Sequence, residues 1–169
     1  IQHGDDLFWI PKSAHSQCKR GHRESNWGKW NSYVQCYKTA SNVPTNSIKG
    51  KWLLSNPKNL LSFSVVGYTY AQQLQKTLNC PVGIINSSYG GSTVEGWLNQ
   101  TTVQKYTDYP ANAIIPDSLS HLRPCVMFQG MIRPLRNYQI KGIAWYQGEG
   151  NVGRSATYSQ KLQDLAYLW

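Results

Sequence analysis

The stretch PVGIINSSYGGS at residues 81–92 decides the fold class of this chain. Residues 82–87 form a short apolar run rich in β-branched side chains, which is typical of a strand buried on both faces of a sheet. Residues 63–79, just before it, have the periodicity of an amphipathic helix. A helix, a short turn and a buried strand are the parts of an α/β unit, so the sequence predicts an α/β fold.

The predicted helix has a start signal and an apolar face. Ser64 is the expected N-cap, and the Asn79-Cys80-Pro81 sequence is expected to end the helix. The apolar face consists of residues spaced four apart, Val66, Tyr70, Leu74 and Leu78. A second helix of the same type is predicted at residues 155–169, with an apolar face formed by Tyr158, Leu162, Leu165 and Trp169.

A second buried strand, IKGIAWY at residues 140–146, is followed by the polar loop QGEGN. Ligands of open α/β sheets bind beyond the carboxyl ends of the strands, so we expect this loop to converge with the Gly90-Gly91 loop. Backbone N–H groups of glycines, together with the Gln147 amide, are typical of an oxyanion hole for acyl transfer. Glu149 would orient a general-base histidine. The alternative interpretation is two tight loops and a capping glutamate.

The charge of the chain is unevenly distributed. Its 169 residues include 17 Lys and Arg against 8 Asp and Glu, a net charge of +9. Nine of the basic residues lie at positions 12–58, with Glu24 as the one acid there. We predict an irregular, basic, tryptophan-containing segment over residues 1–51 and an α/β part over residues 52–169, within a single partial domain. The basic segment suggests a polyanion, but no nucleic-acid-binding motif accompanies it, and no apolar run is long enough for a membrane span.

The cysteines and the glycosylation sequons are evidence about the cellular compartment of the protein. The four cysteines, Cys18, Cys36, Cys80 and Cys125, have no zinc-type spacing, so no metal site is expected. Their even number permits disulfides, and Cys18–Cys36 is the more plausible pair. Of the sequons at Asn86 and Asn99, we expect only Asn99 to be accessible, because Asn86 ends the predicted strand. These features favour a secreted or lysosomal protein.

Three motifs, in the same order along the chain, resemble the sialate O-acetylesterase and acetylxylan esterase group of SGNH-type hydrolases. They are residues 81–92 with Glu95 and Trp97 following, FQGMIRPL at residues 128–135, and IKGIAWYQGE at residues 140–149. The likeness extends from about residue 52 to residue 165. We identify no family motif in residues 1–50.

The resemblance implies a flavodoxin-like, three-layer α/β/α domain with a mostly parallel sheet, incomplete at both ends of this sequence. It implies a carbohydrate O-acetylesterase that removes acetyl groups from sugar hydroxyls, such as those of sialic acid, without a metal or cofactor. In such enzymes a serine attacks the acetyl carbonyl, a histidine takes its proton and an acid holds the histidine. The roles it implies are backbone oxyanion donors at Gly90 (preferred) or Gly91, a side-chain donor at Gln147, the histidine-supporting acid at Glu149, and supporting positions at Asn151 and Trp145.

The chain also departs from the family pattern. It has no Gly-Gln-Ser-Asn nucleophile motif and no Asp-x-x-His motif, so the nucleophilic serine and the catalytic histidine are unassigned. Gly150 stands where many members have serine. We therefore predict the centre of an esterase domain, completed by missing segments or by another chain. The alternative is a catalytically inactive, esterase-like structural or binding subunit held by its basic N-terminal segment. The four histidines, His3, His15, His22 and His121, match neither the Asp-x-x-His motif nor its location near the C-terminal end of the family's domain.

Overall fold

A computed structural model describes residues 6–11, 32–109 and 114–169, with side chains from residue 36 onward. The chain forms two compact units, and the single partial domain stays a prediction. Besides the described residues up to Tyr37, the first unit contains Lys49–Ser88 and Tyr138–Trp145. The second unit contains Lys38–Ile48, Tyr89–Asn137 and Tyr146–Trp169.

The described residues of the first unit carry a five-stranded sheet with the strand order β3-β2-β4-β1-β5. The strands are β1 (Asp6–Pro11), β2 (Ser32–Cys36), β3 (Gly50–Leu54), β4 (Gly83–Asn86) and β5 (Ile140–Tyr146). β1 pairs with β4 in antiparallel orientation, β2 with β3 in antiparallel orientation, and β2 with β4 in parallel orientation. The sheet is therefore mixed, and the prediction of a mostly parallel sheet is corrected.

The strands that make the sheet mixed lie largely in the segment that was predicted to be irregular. β1, β2 and the first residues of β3 all lie within residues 1–51. The connection from β2 to β3, residues 37–49, contains no helix. Antiparallel neighbours can be joined in this way, whereas a parallel pair needs a longer crossover. Cys18 lies outside the described residues, so the Cys18–Cys36 pairing remains a prediction.

Helices and helical turns complete both units. The α-helices are α1 (Pro57–Leu60), α2 (Val65–Leu78), α3 (Gln100–Val103) and α4 (Tyr158–Leu168). The 3-10 segments are Val94–Trp97, Asp117–Leu122, Arg133–Leu135 and Glu149–Thr157, and Phe128–Ile132 is a π-helix. Among the residues that the structure describes, no helix has the length and apolarity needed to cross a bilayer.

The α2 helix confirms the predicted helix and its caps. The Oγ of Ser64 accepts a hydrogen bond from the Gly67 N–H at 3.3 Å, and Asn79 ends the helix in the left-handed conformation. The predicted burial of its face is corrected, since Gly67 and Ala71 are buried while Val66 and Leu78 remain about half exposed. Small residues let the helix approach the sheet closely, and the core there comprises Phe63, Ala71, Val82 and Ile84.

The two strands found from the sequence differ in burial. All four residues of β4 are buried, as predicted. β5 has the predicted bounds, but its residues are half-buried or exposed because it is the last strand in the order of the described sheet. The second unit has its own core, in which Val94, Trp97, Leu98, Met127 and Met131 are almost fully inaccessible.

Candidate active site

The residues after β4 form a tight turn with unused backbone donors. The Ser92 N–H donates to the Tyr89 carbonyl at 3.3 Å, which closes a β-turn across Gly90 and Gly91. Gly91 has a φ of +77° at the third position, which a type II turn requires and which favours glycine. In the described part of the chain, no acceptor receives a hydrogen bond from the N–H of Gly90 or Gly91. Both N–H groups are therefore available to a ligand.

An aromatic pair flanks this turn. The Tyr89 and His121 rings stack with centroids 5.5 Å apart and an interplanar angle of 13°. The Lys38 ammonium lies 5.6 Å from the Tyr89 ring centroid. A Cβ on Gly91 would lie 3.6 Å from the Nε2 of His121. His121, which matches no family motif, is thus the histidine that the described structure places beside the turn.

The loop after β5 contacts the loop after β4, which confirms the predicted convergence. The Gln147 Nε2 donates to the Ser92 carbonyl at 3.0 Å, and the Asn151 Oδ1 accepts from the Val94 N–H at 2.9 Å. Gly150 makes this approach possible, because a Cβ there would lie only 2.7 Å from the Ser92 carbonyl oxygen. The departure from serine at position 150 therefore matches an unusually close approach of the two loops.

The Gln147 amide is fully engaged within the protein. Its Nε2 donates to the Ser92 carbonyl and to the Asn151 Oδ1, both at 3.0 Å. The Tyr158 hydroxyl lies 2.7 Å from the Gln147 carbonyl oxygen and 3.0 Å from its Oε1. A primary amide has two N–H hydrogens, and both are used here. Gln147 therefore ties the two loops together, and its predicted role as an oxyanion donor stays a prediction.

A buried carboxylate lies at the end of this chain of hydrogen bonds. The Glu95 side chain is 0% exposed, and its Oε2 accepts from the Asn151 Nδ2 at 2.9 Å. Its Oε1 accepts from the Lys161 Nζ at 2.8 Å and from the Arg154 Nε at 3.2 Å. Burial raises the pKa of Glu95, but hydrogen bonds from Lys161, Asn151, its own backbone and Arg154 outweigh burial and lower that pKa to about 2. Glu95 is therefore ionised at neutral pH.

Lys161 connects Glu95 to a second carboxylate. Its side chain is 0% exposed, and its Nζ lies 2.9 Å from both carboxylate oxygens of Asp108. The Thr157 hydroxyl donates to Asp108 at 2.6 Å. Burial raises the pKa of Asp108, and the hydrogen bonds from Thr157 and Lys161, with the Lys161 charge, lower it overall. We refer to Gln147, Asn151, Glu95, Lys161 and Asp108 as the Glu95 network.

The remaining predicted site residues lie outside this network. Glu149 is exposed at the start of the Glu149–Thr157 segment. Trp145 belongs to β5 in the first unit and is half-buried. Their proposed roles stay predictions. Within the described ranges, no group of three His, Cys, Asp or Glu side chains could hold a metal ion.

Sequence reasoning missed the ionic part of the Glu95 network. The family motifs mark the position of Glu95 but not its role, and nothing in the pattern assigns a role to Asp108. Lys161 does carry a signal, because it lies three residues after Tyr158 and four before Leu165, on the apolar face of α4. A lysine on such a face is either a snorkelling surface residue or a buried ion-pair partner.

The ionisation of Glu95 predicts an acid-dependent loss of stability. Its folded pKa of about 2 is below its ordinary value of 4.5, so its contribution is complete above pH 4.5 and is lost as pH falls towards 2. That contribution is roughly 3 kcal/mol. Urea unfolding at pH 7, 4.5 and 2.5 should show a shallower acid decline in Glu95→Gln than in wild type. The exposed-site control Glu149→Gln should retain the wild-type decline; equal declines in all three proteins would contradict the prediction.

A solved carbohydrate esterase structure has a fold similar to that of this chain. A solved structure, described as a novel carbohydrate acetylesterase from Xanthomonas citri, superimposes with a TM-score of 0.71 at 27% identity. The superposition covers 82% of this chain and 30% of that one. The fold of this chain is therefore similar to that of part of a carbohydrate acetylesterase.

The amino-acid sequence also matches an esterase family. The chain belongs to the family described as carbohydrate esterase, sialic acid-specific acetylesterase, whose profile matches residues 55–167. It is similar to the sialate O-acetylesterase of Homo sapiens, at 37% identity over 91 residues, and to that of Rattus norvegicus, at 26% over 132 residues. These matches cover 53% and 62% of this chain but only 17% and 24% of the relatives. The family resemblance is confirmed, and this chain spans about a quarter or less of those relatives.

Proposed function

We propose that this chain carries the acetyl-binding loops of an SGNH-type carbohydrate O-acetylesterase. The observation that carries the proposal is the pair of adjacent N–H groups at Gly90 and Gly91 that the described structure leaves without acceptors. In ester hydrolysis, attack on the acetyl carbonyl places negative charge on its oxygen. Two fixed N–H donors stabilise that oxygen more strongly than they stabilise the neutral carbonyl, which lowers the barrier.

The contacts of Gln147 are compatible with this mechanism. Its amide holds the Ser92 carbonyl, and Asn151 holds the Val94 N–H, so both flank the turn that presents Gly90 and Gly91. Preorganised donors need not reorient as charge develops in the transition state. The oxyanion role is therefore proposed for the backbone donors alone. Glu149 remains the proposed histidine-supporting acid, and the proposal assigns no nucleophile and no general base among the described residues.

The surroundings of the turn suit a sugar ester. The stacked Tyr89 and His121 rings form a half-buried aromatic surface beside Gly91. The Lys38 ammonium adds positive charge there, which suits a sugar that carries a carboxylate. The mammalian relatives are sialate O-acetylesterases. We therefore propose O-acetylated sialic acid as the substrate, hydrolysed with water to acetate and the free sugar hydroxyl.

The test is acetate release by the complete protein that contains this sequence. We expect acetate from O-acetylated N-acetylneuraminic acid, with slower release from acetylated xylan, and loss of both after treatment with a serine-directed fluorophosphonate. The isolated 169-residue chain should be assayed in parallel. If the complete protein released no acetate from either substrate, the proposal would fail and an inactive, esterase-like subunit would be favoured. Release that was insensitive to the fluorophosphonate would instead contradict the serine mechanism.

Glycosylation at Asn99 is a separate proposal. The Asn99 Oδ1 caps α3 by accepting from the Thr102 N–H at 2.8 Å, which leaves the glycan-bearing Nδ2 outside that bond. Asn86 is buried in β4, and its Oδ1 accepts from the Ser88 hydroxyl. Expression through a secretory pathway should therefore add one glycan, removable by an amidase and visible by mass.

Thr101→Ala is the matched variant for this prediction, because it destroys the sequon without removing the Asn99 cap. It should abolish the mass shift, while Ser88→Ala, which destroys the Asn86 sequon, should retain it. A glycan that persists in Thr101→Ala and disappears in Ser88→Ala would contradict the assignment.

A further inference from the structure

The hydrogen bonds from Gln147 through Asn151 to Glu95 run in one direction. The Gln147 Nε2 donates to the Asn151 Oδ1, and the Asn151 Nδ2 donates to the Glu95 Oε2. The two ends of an amide have opposite hydrogen-bonding character, whereas an ionised carboxylate only accepts. Glu95 therefore requires Asn151 to present its Nδ2, and this turns the Asn151 Oδ1 towards Gln147 and the Val94 N–H.

Glu95 uses its two oxygens on different partners. Oε1 accepts from the cations Lys161 and Arg154, and Oε2 accepts from Asn151. Asn151 is 2% exposed, so water does not replace a lost partner readily. If the Asn151 amide flipped, its Oδ1 would face the carboxylate, and the buried Val94 N–H would face an amide donor. Leaving such a buried group unsatisfied costs about 1–3 kcal/mol.

We propose that Glu95 is a positioning residue of the candidate active site. Acting through Asn151, its carboxylate fixes the Gln147 amide and the Ser92–Val94 backbone, and so sets the direction in which the N–H groups of Gly90 and Gly91 point. The functional part of this inference rests on the proposed esterase activity. The orienting part concerns only the described contacts.

Two variants test the orienting part: a single variant that removes the carboxylate from position 95, and a double variant that places a carboxylate at position 151 instead. In Glu95→Gln, the side chain has one acceptor oxygen, which Lys161 and Arg154 are expected to retain. Its amide nitrogen then faces Asn151, which must flip. The double variant Glu95→Gln/Asn151→Asp moves the carboxylate across the same hydrogen bond, so that residue 151 now accepts from the residue 95 amide on one side and still accepts from Val94 and Gln147 on the other. This restores every hydrogen bond to Val94 and Gln147 without restoring the charge at position 95.

The readouts are hydrogen exchange of the Val94 N–H and the nitrogen-15 spectrum of the Gln147 amide, which need no turnover. Glu95→Gln should speed Val94 exchange about tenfold and shift the Gln147 signals. The double variant should recover both. Glu149→Gln should change neither. Unchanged Val94 and Gln147 signals in Glu95→Gln, or a double variant as impaired as Glu95→Gln alone, would overturn the proposal and leave Glu95 as a charge partner of Lys161.

The activity readout uses the complete protein. Glu95→Gln should lower kcat about tenfold or more with little change in KM, because misdirected donors weaken transition-state binding more than substrate binding. The double variant should recover kcat. A complete protein without esterase activity would refute the proposed function while the exchange data still decide the orienting role. A KM effect without a kcat effect would overturn the positioning role.

Discussion

Replacing Lys161 by methionine is expected to lower the free energy of unfolding by about 3–5 kcal/mol. The Lys161 ammonium is fully buried between Glu95 and Asp108, at 2.8 Å and 2.9 Å. Methionine fills a similar volume but leaves the inaccessible Glu95 carboxylate with Arg154 as its remaining cation. A buried charge that loses its partner is far more costly than a surface pair. Urea unfolding at pH 7 measures the loss.

Lys105→Met is the matched control. Lys105 also pairs with a carboxylate, that of Asp164 at 3.1 Å, but its side chain is 57% exposed. Exposed pairs contribute about 0–1 kcal/mol, so this variant should remain close to wild type. Similar losses in the two variants would show that the burial of Lys161 does not determine its contribution to stability.

Gly150→Ala is expected to reduce acetate release by the complete protein about a hundredfold, since a displacement of about 1 Å at an active site has an effect of that size. The new Cβ would lie 2.7 Å from the Ser92 carbonyl oxygen and 3.3 Å from its carbonyl carbon. Both are backbone atoms, so the two loops must separate. Separation weakens the contact from Gln147 to Ser92 and disturbs the turn that presents Gly90 and Gly91.

Gly153→Ala is the control variant. It distinguishes the effect of the close approach from a general loss of stability in the 3-10 segment that contains both glycines. Gly153 lies in the same Glu149–Thr157 segment, and a Cβ there meets nothing within 4 Å. It should retain nearly full activity. If Gly150→Ala kept wild-type kcat, or if Gly153→Ala lost as much activity, the close approach of the loops would have no role in catalysis.

The parts of the fold that were predicted correctly have local signals. β4 lies in a short apolar run rich in β-branched side chains, and α2 has a serine cap and a terminal asparagine directly at its ends. The strand order had no such signal, because the pairing of β1 and β2 depends on residues that are distant in sequence. The α2 face was misjudged because Gly67 and Ala71 are buried for their small size, which a hydrophobic pattern does not register.

In the candidate site, too, some features were predictable from the sequence and others were not. The two glycine-containing loops and their convergence followed from their positions after β4 and β5. The state of the Gln147 amide did not, since it depends on the Ser92 carbonyl, 55 positions away in sequence. The burial of Glu95 was equally inaccessible, because its partner Lys161 lies 66 positions further along the chain. Whether a side-chain donor is already used depends on contacts between residues far apart in sequence, which a local pattern does not show.

A trapped complex tests the identity of the oxyanion donors most directly. The complete protein would be treated with a fluorophosphonate, whose phosphoryl oxygen stands in for the oxyanion of the tetrahedral intermediate. Nitrogen-15 spectra before and after trapping would report each donor. We predict downfield proton shifts of the Gly90 and Gly91 backbone N–H groups and little change in the Gln147 side-chain amide. A shift confined to the Gln147 amide, with Gly90 and Gly91 unchanged, would contradict the assignment of the oxyanion hole to the two glycines.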